Sequence, residues 1–258
     1  MLGDTLLSYI KKAFSAYTAK PFLFMWGSIV YLFMFLVFLL ATFGFVLIYF
    51  MLTSVLSYDI TLDANVESIP NLIIAAAILV AFIYFMGALN AALAKTYYNA
   101  VDGIKTSLVD FYHYGLSRGP MMFSVVLMRE FISLLILGPL AAIYYYFLMD
   151  FQYMDMIFYT VVLFLIFVIH FLFTPALIAA SLGALPFDSF RKAFLTIKYK
   201  NVHLFAMFIL FAVVWVLNFI PLLQLFTIFF FYPIIYSALI MLVEDKTTTS
   251  QKMMKTDR

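Results

Sequence analysis

From Pro21 to Tyr58 the chain carries no charged side chain, and almost every residue in the run is apolar. A helix of about 20 apolar residues crosses the roughly 30 Å of bilayer hydrocarbon, so this run predicts one long span, tilted or protruding, over residues 22–52. Other runs follow the same logic. Residues 70–94 fall between Glu67 and Lys95, and residues 120–148 are interrupted only by Arg129 and Glu130. Residues 156–183, between Asp155 and Asp188, carry His170 and Pro175. The run from Asn201 to Val243 is too long for one helix, and its polar break Asn218-Phe219-Ile220-Pro221 divides it into spans over 202–219 and 224–243. Hydrophobic residues make up 67% of the chain and charged ones 11%, against about 45–50% and about 25% in soluble domains. So little polar surface cannot coat a soluble core, and the apolar excess faces lipid. Continuously apolar runs exclude the ten-residue alternation of a β-barrel, and an open sheet would leave backbone groups unpaired in lipid. The expected fold is an all-α integral membrane protein with six transmembrane helices. One domain fills residues 1–245, and a flexible cytoplasmic tail covers 246–258.

Charge orients the bundle. Of the fifteen Lys and Arg residues, all but Arg129 fall in the connections after spans two and four or in the tails. The opposite connections hold Asp59, Asp63, Glu67, Asp150 and Asp155 and no basic residue. The positive-inside rule places both termini in the cytoplasm, with the protein in the cell membrane. The first apolar run is far longer than the h-region of a signal peptide and is expected to stay as a span.

Three cytoplasmic segments show helical amphipathic spacing: Leu7, Ile10, Phe14 and Tyr17; Val101, Ile104, Leu108, Phe111 and Tyr114; and Phe187, Phe190, Phe194 and Ile197. Setting Phe14, Phe111 and Phe194 in register also aligns Phe24 with Met121 and Leu204. The pattern predicts three repeats of one unit, an interfacial helix followed by a membrane hairpin. A second echo pairs Phe171-Leu-Phe-Thr-Pro175 with Phe229-Phe-Phe-Tyr-Pro233, so spans four and six are expected to kink at matched depth. The stretch FTPALIAASLGALPFDSFRKAFLTIKYKNVHLF, residues 173–205, resembles a recurring segment of prokaryotic six-helix membrane families. One example is the membrane domain found beside some glycerophosphodiester phosphodiesterases. The likeness implies an architecture and carries over no catalytic residue.

Chemistry is sparse. Arg129 and Glu130 are the charged pair inside a span, where an ion must be paired, face an aqueous cavity or snorkel to the headgroups. Sequence neighbours point about 100° apart on a helix, so each is expected to reach for another span. Asn90, His170 and Asn218 are the candidate partners. His170 near mid-span could relay protons or hydrogen-bond a neighbouring helix. The chain contains no cysteine, and its three histidines have no metal-ligand spacing, so neither a metal nor another cofactor is expected. No nucleophile elbow, P-loop or dinucleotide fingerprint is present, and no enzyme is expected. Arg191, Lys192, Lys198 and Lys200 beside an apolar face suit anionic lipid. The net charge of +2 is too small for a nucleic-acid partner.

The leading expectation is a non-enzymatic, transport-type or lipid-organising protein with Arg129, Glu130, Asn90 and His170 in a polar interior. Membrane lipids would be its partners. The alternatives are a scaffold subunit packed against another membrane protein, and a permease subunit of an ATP-driven exporter docking a cytoplasmic ATPase through the helices after spans two and four. An enzyme acting on lipid ranks behind both.

Overall fold

The computed structural model describes residues 6–55, 69–149, 151, 153–217 and 220–244. Asp59, Asp63, Glu67, Asp150, Asn218 and the 246–258 tail lie outside them. The described residues form α1 (Leu6–Ala19), α2 (Pro21–Val55), α3 (Ile69–Val101), α4 (Leu108–Ile143), α5 (Met154–Ser181), α6 (Pro186–Leu217), α7 (Pro221–Phe226) and α8 (Tyr232–Glu244), with no strand among them. Two π-helical turns, Tyr144–Leu148 and Thr227–Phe231, prolong α4 and join α7 to α8. Among the described residues, six helices are long and apolar enough to cross a membrane. The protein is an all-α, multi-pass membrane protein.

Helix ends follow local chemistry. Gly103, at φ +75°, and Gly183, at φ +114°, adopt left-handed backbone that a side chain would strain. Each closes a helix with the same two bonds: Gly103 N–H donates to Ala100 O and Ile104 N–H to Asn99 O, while Gly183 N–H donates to Ala180 O and Ala184 N–H to Ala179 O. Four residues on from Gly103, Ser107 opens α4 through a capping box with Asp110. Val101 and Ile104 therefore lie at the end of α3 and in the connection, not on one helix with Phe111. The second interfacial stretch is instead continuous with its span, and the third joins its span through a bend at Lys200 (φ −130°, ψ 25°). Of the three interfacial stretches, α1 alone is a separate short helix.

The three units do correspond, one residue out of the register expected for the middle copy. Ala13, Phe111 and Ala193 are all buried, as are Phe24, Met122 and Leu204. Phe14 and Phe194 are exposed, so Phe111 is not their structural equivalent. The shifted register also aligns three cations, each at the C-terminal end of its own unit's second span. Arg118 Nη1 donates to Gly183 O at 3.4 Å, and Lys200 Nζ donates to Leu242 O at 2.8 Å. The Lys20 ammonium lies against Gly103. A cation there meets the negative end of the helix dipole and otherwise unpaired carbonyls.

α8 is the central post. Most of its residues are buried, against α1, α3 and α6 in particular. α3 and α4 pack closely because small residues face each other: a Cβ on Gly115 would stand 2.8 Å from Ala88 O. In α2, α3, α4 and α5 the buried core is confined to the end that carries the basic residues, while in α6 it extends as far as Val214. Val30 on α2, Gly87 on α3, Val125 on α4 and Ile169 on α5 mark its edge. Beyond them, toward the far end, no described residue of these four helices is buried. Stacked rings hold that half together, Phe38 on Phe85 at 4.2 Å and Tyr144 on Phe158 at 4.0 Å.

Two glycines of α4 test this packing. Gly115→Val should force α3 and α4 apart and cost about 1–3 kcal/mol, the usual penalty of overpacking. Gly138, with nothing within 4 Å of a built Cβ, should accept Val with little change. Unfolding midpoints measured in detergent compare the two.

Candidate functional site

The charged pair is closed on itself. Arg129 Nε donates to Glu130 Oε1 at 2.9 Å, and Nη2 donates to the same oxygen. The expectation that each reaches another span is not met. The two Cβ vectors diverge, but both side chains are long enough to fold back over the helix surface and neutralise each other at no cost in helix packing. Ser133 Oγ donates to Arg129 O at 2.8 Å. His170 is exposed, its Nδ1 2.9 Å from Ile166 O one turn back on its own helix. Asn90 is half-buried on α3, and Asn218 lies outside the described residues. Among the described residues the structure brings together Arg129 and Glu130 only, and assembles no polar chamber from the candidate set. Among the interfacial candidates, Lys192 Nζ binds Glu244 Oε1 at 2.9 Å, joining α6 to α8, and Arg191 is exposed.

A second polar feature lies where the sequence showed only an apolar proline echo. Pro233 has no N–H, so Phe229 O in α-helical spacing and Ile228 O in π-helical spacing lose their donors. Both carbonyls find one from elsewhere. Tyr17 OH, on α1, donates to Phe229 O at 2.9 Å, and Ser28 Oγ, on α2, donates to Ile228 O at 3.2 Å. With that proton committed, Ser28 Oγ accepts from Tyr97 OH at 2.7 Å. The same device recurs at Pro120, where the freed Leu116 O receives Tyr84 OH at 3.4 Å. Pro175 lies inside α5 without a π turn, whereas one precedes Pro233, so the two prolines sit in different local helix geometry.

The far half offers a different kind of site. Between α5 and α6 runs a groove of about 440 Å³ lined by apolar side chains alone, among them Phe164, Phe167, Phe205, Phe208, Ile209 and Ala212. Phe208 forms its floor, its ring centroid 3.7 Å from that of Phe167 and 4.0 Å from that of Phe171. The groove eluded the sequence because its lining is indistinguishable, residue by residue, from ordinary lipid-facing surface.

Closure of the Arg129–Glu130 pair has a measurable signature. Arg129→Leu should leave Glu130 without its partner and cost up to about 3 kcal/mol. Adding Glu130→Leu should restore stability to within about 1 kcal/mol of the parent, since both charges then leave together. Thermal unfolding of the single and double variants decides; a double variant as unstable as the single one would mean that a third residue depends on the pair.

No protein-family profile, curated protein or solved structure matches the chain.

Proposed function

We propose that the protein is a non-enzymatic, transport-type or lipid-organising protein of the cytoplasmic membrane that takes a lipid-like hydrophobic molecule, with an acyl chain lying in the open half of the bundle. The α5–α6 groove carries this reading. Its volume falls in the range of small-molecule sites, and an ion or polar solute would lose its hydration there without receiving one hydrogen bond from the walls. An acyl chain loses nothing and gains dispersion contacts with Phe164, Phe205 and Ile209. The pairing of Arg129 with Glu130 supports the same choice, because the charges that would have lined a polar path are occupied with each other. The family resemblance of residues 173–205 belongs to this proposal as an architecture and not as a chemistry.

With the function goes an orientation, the basic end facing the cytoplasm. The chain has no cysteine, so single cysteines report cleanly. Lys105→Cys should resist an impermeant thiol reagent added outside intact cells and Tyr153→Cys should react; the reverse would turn the protein over.

The groove is tested with a phospholipid bearing a photoactivatable diazirine on its acyl chain. Adducts mapped by mass spectrometry should concentrate on Phe205 and Ile209 and fall several-fold in Ala212→Trp, which fills the groove, while unfolding temperature holds. Adducts spread evenly over the exposed faces of α2 and α4 would reduce the groove to ordinary lipid surface. Crosslinks to a co-purifying protein at the same positions would favour the scaffold.

A further inference from the structure

At the basic end four helices converge on one phenol. Tyr114, on α4, donates its hydroxyl to Ser181 O at 2.6 Å, at the C-terminus of α5. The Lys95 ammonium, from α3, lies 5.9 Å from the centroid of the Tyr114 ring and 5.1 Å from that of Tyr98. The Arg118 guanidinium carbon is also 5.9 Å from the Tyr114 ring. Glu244 on α8 is within electrostatic reach of the same phenol. Its carboxylate, however, is held by Lys192 of α6.

Lys95 and Arg118 are both half-buried, and among the described residues neither meets a carboxylate. Ring faces soften the cost of placing two like charges around one side chain, but they do not neutralise it. Arg118 also has donor capacity to spare: of its five N–H groups, Nη1 serves Gly183 O at 3.4 Å and Met121 Sδ at 3.7 Å and the guanidinium also faces the Tyr114 hydroxyl, which leaves the remaining N–H groups for a ligand. Gly183 leaves the room, since a Cβ there would stand 3.1 Å from Arg118 Nη2. A planar fork with donors to spare, a second cation beside the same aromatic ring and a net positive charge match the oxygens of a phosphate group.

We propose that Lys95 and Arg118, both beside the Tyr114 ring, form a binding site for a phosphate-bearing anion, the headgroup of an anionic phospholipid or free phosphate. The site is independent of the acyl-chain groove and would stand if that reading failed.

The full chain is placed in nanodiscs of phosphatidylcholine with a minor fraction of phosphatidylglycerol, and the lipid retained on release is counted by native mass spectrometry. The parent should retain phosphatidylglycerol in preference to phosphatidylcholine. Lys95→Gln, which keeps the Arg118 bond to Gly183, should weaken retention about fivefold, the worth of one basic residue at a lipid surface. Arg118→Lys, which keeps the charge and loses the fork, should lie between parent and Lys95→Gln. Lys105→Gln, a change of equal charge at an exposed position in the connection between α3 and α4, should have no effect. In a second arm inorganic phosphate is titrated into the detergent-solubilised protein. A rise in unfolding temperature that Lys95→Gln abolishes, without phosphatidylglycerol preference, assigns the site to the free anion. Equal losses in Lys105→Gln and Lys95→Gln would reduce the effect to diffuse surface charge and overturn the proposal. So would indifference to phosphate in both arms.

Discussion

In hydrocarbon a backbone carbonyl that loses its helical donor has no water to replace it, and this constraint organises the packed half of the bundle. Proline inside a helix is one source of the problem, and at Pro233 and Pro120 another helix answers it. Pro233 frees two carbonyls, and the hydroxyls that answer them come from α1 and α2, so a defect in the last span fixes the position of the first two helices. Pro120 frees one, and Tyr84 of the preceding span answers. Helix C-termini pose the same demand. Arg118 and Lys200 meet it with side-chain donors reaching the ends of α5 and α8. The buried hydroxyls, the bulk of the interhelical hydrogen bonds and the core itself therefore share one end of the molecule.

Much of the fold was legible in the sequence, because charge-free runs of this length have one stable solution in a bilayer. The boundaries were less so. Periodicity carried a helix from Val101 through Tyr114, although Asp102-Gly103 and Ser107-Leu-Val-Asp110 punctuate that stretch with a stop and a start. Glycine at a C-terminus and a capping box are local signals that outrank an apolar spacing. The repeat was read one residue out in its middle copy for a related reason. Aromatic residues at 3.6-residue spacing align nearly as well after a slip of one, whereas Lys20, Arg118 and Lys200, which share a task, admit a single register.

The candidate site was the least legible part. Arg129 and Glu130 announced themselves as intramembrane charges, and their spacing argued against mutual pairing. Spacing fixes where a Cβ points, not how far five or more side-chain atoms can bend, and both ends of this pair are flexible. Tyr17 and Phe229 are 212 residues apart in sequence, and Lys95, Arg118 and Tyr114 are gathered by tertiary packing. No local pattern encodes such meetings. The α5–α6 groove is a shape and leaves no compositional mark.

The length of the helices has a consequence for the membrane around them. α2 has 35 residues and α4 has 36, which at 1.5 Å per residue is about 50 Å of rod against about 30 Å of hydrocarbon. The packed end cannot absorb the excess, because its helices are tied to one another by hydrogen bonds and interlocked side chains. The mismatch falls on the unpacked half, where helices can lean apart and the bilayer can thicken around them at a cost of fractions of a kcal/mol per Å. Bilayer thickness thus becomes a variable acting on the mouth of the α5–α6 groove, and membranes of different lipid length would hold the same chain at different apertures.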